Sequence, residues 1–313
     1  MLAGLRTAPP DLAPAPVAPA PADSRFAEAD AVAAAGLATA SLDPLDDAAL
    51  NARAVTKRYG RARPALDRVD LRIEPGECVA IAGVNGAGKT TLLRCLLDFA
   101  RPDAGSISVF GLDSRDTRAR RALAFLPERF LPSPHLTGRE TLAMLAALQD
   151  QHWSAARIDA ALADLEFPRE ALDTRMRRYS KGMTQKLGLA AAVLQDKPLL
   201  VLDEPMSGLD PLARRFLAGV LARLKASGRT LLFTSHAPAD IARLADRVAL
   251  LHAGRLLFAG TPAELCATQH TDDLESAFVA RIGHETPEPH DDRPAPGRSL
   301  RSLLPWSHTG RST

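Results

Sequence analysis

The sequence predicts an α/β fold: a largely parallel core sheet, an antiparallel β flank and an inserted α-helical subdomain. Three observations predict it. Short apolar runs alternate with stretches of helical spacing along most of the chain, as in layered α/β domains. Three of those runs, "ECVAIAG" (77–83), "PLLVLDEP" (198–205) and "RTLLFTSH" (229–236), begin with or contain unbroken apolar stretches, the mark of strands buried on both faces. Between residues 137 and 195 the pattern is helical throughout.

The elements follow in order. "ARAVTKRYG" (52–60) and "LDRVDLRI" (66–73) alternate apolar and polar residues, as half-buried strands do, and two in succession suggest the antiparallel flank. "ECVAIAG" reads as a central strand. A glycine-rich stretch follows, then "TLLRCLLDF" at helical spacing. "SISVFG" (106–111) is a short strand, and "LAFLPE" (123–128) is another, ended by Pro127. After the helical stretch come the two buried strands at 198–205 and 229–236. "DRVALLHAGRLLFAG" (246–260) reads as a hairpin turning at Ala253-Gly254. No internal repeat occurs, so the reading is one domain over 49–283, with its helical subdomain at about 129–195. The flanking stretches, 1–48 and 284–313, are rich in Pro with Ala or charge, and are expected to be disordered tails.

Composition narrows the function classes. In 313 residues, 39 Lys and Arg stand against 37 Asp and Glu, so no concentrated basic character points to nucleic acid. The cysteines, Cys78, Cys95 and Cys266, are scattered with no CxxC pair, which argues against zinc and fits a reducing compartment. Cys78 and Cys95 lie in apolar segments, where inert buried thiols are usual. No apolar run approaches the ~18–20 residues that a membrane-spanning helix needs. The N-terminal stretch lacks the continuous apolar core of a signal peptide.

Chemistry enters at "GVNGAGKTT" (83–91), which matches G-x-x-x-x-G-K-[ST] at 83–90. Gly83, Gly86 and Gly88 permit backbone geometry that turns N–H groups inward, and the helix that begins here adds its positive end. Lys89 reaches β- and γ-phosphates, and the Thr90 hydroxyl suits Mg²⁺. A buried strand before and a helix after supply the context of a P-loop NTPase. No N-K-x-D element for guanine is present.

Other groups converge on the same chemistry. Asp203 and Glu204 end a buried strand, where two adjacent carboxylates are costly without a cation or donors. One carboxylate suits Mg²⁺ through water, and the other suits an attacking water. His236 ends another buried strand. A lone histidine is usually structural, but here its strand ends beside the phosphate loop. Ser180 and Gly182 in "YSKGM" (179–183) open a helix; they serve as a helix start, and equally as a phosphate grip.

Together these pieces resemble the ATP-binding cassette (ABC) family of transport ATPases over about residues 50–283. "GVNGAGKT" resembles its Walker A loop, "VLDEP" its Walker B, "YSKGM" its signature, "SGLD" (207–210) its D-loop and "TSH" its H-loop. The resemblance implies ATP and Mg²⁺ as cofactors. It implies nucleotide contacts from Tyr59, Gly83, Val84, Asn85, Gly86, Ala87, Gly88, Lys89, Thr90, Thr91, Ser180, Gly182 and Asp210, with Tyr59 stacked on adenine. It implies catalytic roles for Lys89, Glu128, Glu204 and His236, and metal contacts from Thr90, Glu128 and Asp203. Two departures stand out. Glu128 replaces the family's Gln in "AFLPERF", adding negative charge near the γ-phosphate. Tyr179, Lys181 and Met183 alter the signature around the retained Ser180 and Gly182.

The family pairs two cassettes head to tail, so Ser180 and Gly182 would serve the nucleotide of a partner copy in an ATP-dependent homodimer. "LPERFLPSPHLTGRETLAMLAAL", "YSKGMTQKLGLAAAVL" and "LESAFVARIG" (274–283) are similar to ATPase subunits of multidrug-type two-component exporters. That implies a separate integral-membrane permease, with this chain cytoplasmic and peripheral on the inner face of the membrane. The alternative is a soluble ABC ATPase acting on ribosome or DNA, although such proteins carry tandem cassettes or long coiled-coil insertions that this chain lacks. No nucleic-acid partner is expected.

Overall fold

The computed structural model describes residues 47–60 and 63–283, and the expectations for the tails, at 1–46 and 284–313, fall outside the described residues. Two bulged strands open the fold. In β2 (Leu66–Ile73), Leu66, Val69, Leu71 and Ile73 are buried, with one extra residue at Arg68, which takes a positive φ of 52°. β1 (Leu50–Lys57) carries a matching irregularity at Ala54. Both pair antiparallel, and β1 also pairs antiparallel with β4 (Ala104–Val109), which turns into the short β5 (Leu112–Asp113). The antiparallel flank expected from the sequence is therefore a sheet of its own, ordered β2-β1-β4-β5.

The second sheet holds β3 (Cys78–Ala82), β6 (Leu123–Leu126), β7 (Leu199–Leu202), β8 (Thr230–Ser235), β9 (Arg247–His252) and β10 (Arg255–Gly260) in the order β10-β9-β3-β8-β7-β6. All its neighbours are parallel except β9 and β10, which form the expected hairpin. Ala253 and Gly254 both have positive φ, 47° and 82°, as the tight two-residue turn requires.

Nine α-helices are present among the described residues. They are α1 (Lys89–Leu96), α2 (Thr117–Arg121), α3 (Gly138–Ala147), α4 (Ala155–Ala163), α5 (Lys181–Leu194), α6 (Pro211–Ala226), α7 (Pro238–Leu244), α8 (Pro262–Thr268) and α9 (Leu274–Gly283).

Strand alternation splits the core between the two faces of the parallel sheet. Val79, Ile81, Val201 and Leu251 join α1 and the first sheet, so α1 lies between the two sheets. Ala80, Leu202, Phe233 and Leu250 face the other way, toward α3 to α7. Leu142, Leu162 and Leu187 of the helical stretch belong to that same continuous core. Cys78 and Cys95 are buried, and burial pushes the Cys78 thiol up to about 12. No helix among the described residues is long and apolar enough to cross a membrane.

Candidate active site

Parallel register brings the reactive ends together. Ala82 at the end of β3 pairs with Ser235 of β8, and Leu202 of β7 pairs with Phe233 of β8. Gly83, His236 and Asp203, the residues that follow, therefore leave the sheet at one edge. Clefts outside the carboxyl ends of parallel strands are where such sheets bind ligands. Here the cleft holds about 300 Å³ and is lined by Ala65, residues 84–91, Glu128, Glu204, Ser207 and His236.

The loop geometry follows from its glycines. Gly83 has φ 151°, and a Cβ there would stand 2.2 Å from the Leu251 carbonyl oxygen. Gly88 has φ 114° and caps α1 without any side-chain hydrogen bond. Six other helices are capped by their own Ser, Thr or Asp side chain. The amides of the first turn of α1 are thus left for a ligand, at the positive end of the helix. Gly86 needs only its positive φ of 81°, since a Cβ would meet nothing within 4 Å.

Lys89 is buried, and its Nζ donates to the Gly83 carbonyl at 2.7 Å and lies 3.6 Å from Glu204 Oε1. The other carboxylate oxygen of Glu204 is 2.9 Å from His236 Nδ1. Glu204 sits at φ 46°, a left-handed conformation uncommon for a side chain of its kind. Thr234 stabilises that turn: its hydroxyl accepts from the Glu204 amide at 2.7 Å and donates to Asp203 Oδ1 at 2.6 Å. Sequence reasoning missed Thr234, whose only signal is a hydroxyl in an otherwise apolar strand.

Asp203 is only 6% exposed. Burial pushes its carboxyl up from the ordinary 3.8, the Thr234 hydroxyl pulls it down, the Glu128 and Glu204 carboxylates raise it further, and Lys89 opposes them. As pH rises past about 3.8 the unfolded chain releases this proton first, so the folding cost is absent in acid and grows as pH rises toward the raised folded-state pKa. Asp203→Asn is accordingly expected to raise the Tm of the nucleotide-free protein by a few degrees at pH 7 while lowering turnover; thermal melts with and without nucleotide check it.

A family model described as ABC transporter matches residues 66–207, from β2 through the turn after Glu204. The Nod factor export ATP-binding protein I of Paraburkholderia xenovorans is 36% identical over 239 residues, covering 75% of this chain and 78% of that protein. The chain belongs to the ABC transporter ATP-binding proteins. This ABC ATPase is also 37% identical over 220 residues to the daunorubicin/doxorubicin resistance ATP-binding protein DrrA of Streptomyces peucetius, covering 69% of the chain and 66% of that protein. Its fold matches the solved structure of an ATP binding subunit of an ABC transporter, with TM-score 0.68, 29% identity, 74% of this chain and 98% of that one.

Not every residue singled out in the ABC ATPase meets at the cleft. Tyr59 is half exposed and does not line it; Lys57 Nζ lies 5.5 Å from the ring centre instead. Ser180, Gly182 and Asp210 also lie outside it. Ser180 caps α5, its hydroxyl oxygen accepting from the Met183 amide at 3.1 Å, which leaves the hydroxyl proton free to donate. Asp210 caps α6 through the Ala213 amide. Ser207, noticed only as the first residue of "SGLD", does line the cleft.

Proposed function

We propose that this ATPase powers export through a separate membrane permease, working as a head-to-tail pair that holds two ATP. The observation that carries the reading is a site only half assembled within one chain. Residues 84–91, Glu128, Glu204 and His236 line the cleft, whereas Ser180 and Gly182 stand outside it. A second copy, turned head to tail, would bring its Ser180 and Gly182 to the open side.

Within each cleft, the loop amides and Lys89 bind and orient the β- and γ-phosphates. Glu204 receives a proton from the attacking water, and His236 holds the γ-phosphate and the Glu204 carboxylate in place. Among the described residues no three His, Cys, Asp or Glu side chains gather into a metal site of their own. A buried Asp203 with neighbouring carboxylates fits a divalent cation that brings phosphate and water as its other ligands. Thr90 and Asp203 would hold Mg²⁺, with Glu128 beside it, and the ion would supply charge neutralisation at the phosphates. Tyr59 and Asp210 would reach nucleotide only on closure. The chain would lie on the cytoplasmic face of the membrane, held there by the permease. The Nod factor export relative, by its name, favours this direction of transport.

Affinity purification of the tagged chain from detergent-solubilised native membranes tests the reading. A multi-span membrane protein in near-equal amount is expected. Ribosomal or DNA-processing proteins without a membrane partner would overturn it.

A further inference from the structure

Lys181 begins α5 with no counter-ion. It is exposed, no carboxylate pairs with it among the described residues, and the first turn of the helix holds no acid. A cation at this end of a helix is disfavoured, because the helix terminus is itself positive. The side chain is nonetheless held. A Cβ on Gly208 would stand 2.6 Å from Lys181 Nζ, 2.8 Å from Cε and 3.0 Å from Cδ, so the stem lies across the turn at 207–210. Gly208 has φ +73° and no side chain to lift it away. Lys181 does not line the cleft of its own chain.

The cleft has the opposite imbalance. Glu128 and Glu204 line it with Lys89 as its only Lys or Arg among the described residues, and Asp203 sits buried behind. Lys89 is already committed to Gly83 and Glu204. A triphosphate entering there meets one carboxylate, Glu128, that forms no ion pair among the described residues.

We infer that Lys181 is a phosphate-facing positioning residue acting in trans: it presents its ammonium to the cleft of the second copy and offsets Glu128 there. The inference rests on the head-to-tail pairing proposed above. The stem lying over the turn at 207–210 places the charge there, and the charge lets ATP close a cleft that carries one carboxylate too many. Complementary charges across an interface couple most strongly when both are desolvated by closure.

The test uses full-length protein carrying Glu204→Gln, which accumulates the ATP-bound pair, with dimer formation followed by light scattering across ATP concentrations. Adding Lys181→Met keeps the stem over Gly208 and removes the charge. It is expected to raise the ATP concentration for half-dimerisation on the order of tenfold and to reduce its salt dependence. Lys181→Arg is expected to retain the parental value. Adding Glu128→Gln to Lys181→Met is expected to restore most of the loss, a coupling that packing alone would not produce. An unshifted midpoint in Lys181→Met, or no restoration by Glu128→Gln, overturns the inference while the pairing stands. A Glu204→Gln parent that stays monomeric with ATP overturns the pairing and this inference together.

Discussion

Glu204→Gln is expected to bind ATP as the parent does and to lose turnover by a factor on the order of 100–1,000, the usual contribution of a positioned general base. The substitution keeps the shape of a side chain held between Lys89 at 3.6 Å and His236 at 2.9 Å. It removes the carboxylate proposed to take a proton from water. The phosphate-binding amides and Lys89 are untouched, so affinity persists and the ATP-bound state accumulates. Phosphate release, nucleotide binding and size-exclusion chromatography with ATP measure the three consequences. Parental turnover in the variant would remove Glu204 from this role and move attention to His236.

Gly83→Ala is expected to be strongly damaging. Its Cβ would stand 2.2 Å from a backbone oxygen of Leu251 and 3.0 Å from the Ala87 Cβ, at a φ that disfavours any side chain. Backbone on both sides must move, at a cost of about 2–4 kcal/mol. That corresponds to a Tm lowered by roughly 5–15 °C for a domain of this size. Shifting the loop also misaims its amides. Losing two charge-assisted hydrogen bonds weakens ATP binding on the order of 100-fold or more. Gly86→Ala is the control, because it shares the positive φ but meets no atom within 4 Å. It is expected to cost about 1 kcal/mol or somewhat more. Equal effects of the two variants on Tm would show that φ, not the Leu251 contact, governs the loop.

Much of the fold and of the cleft was legible because its signals are local. Unbroken apolar runs marked β3, β7 and β8, and a glycine between two apolar runs marked the Ala253-Gly254 turn. The glycine pattern with Lys89 and Thr90 announced a phosphate loop from eight consecutive residues. The acid pair was legible because two carboxylates ending an apolar strand require a compensating partner. Thr234 was not legible. It joins Asp203 to the Glu204 amide only through the parallel pairing of β7 with β8, between segments about thirty residues apart in sequence. The left-handed turn at Glu204 was equally hidden, since glutamate has no preference for it and surrounding contacts impose it. Tyr59 shows the reverse case, an aromatic at the expected sequence position that the fold leaves half exposed, away from the cleft.

Residue type and spacing decided that this chain has a phosphate loop, a helical stretch and buried strands, because backbone conformation and burial period are properties of neighbours in sequence. Tertiary structure alone decided that the antiparallel strands form a separate sheet and that α1 is sandwiched between two sheets. It also set Glu204 between Lys89 and His236 and left Ser180 and Lys181 out of the lining of their own cleft. Those placements depend on strand order and on contacts between segments far apart in the chain, which no local pattern encodes.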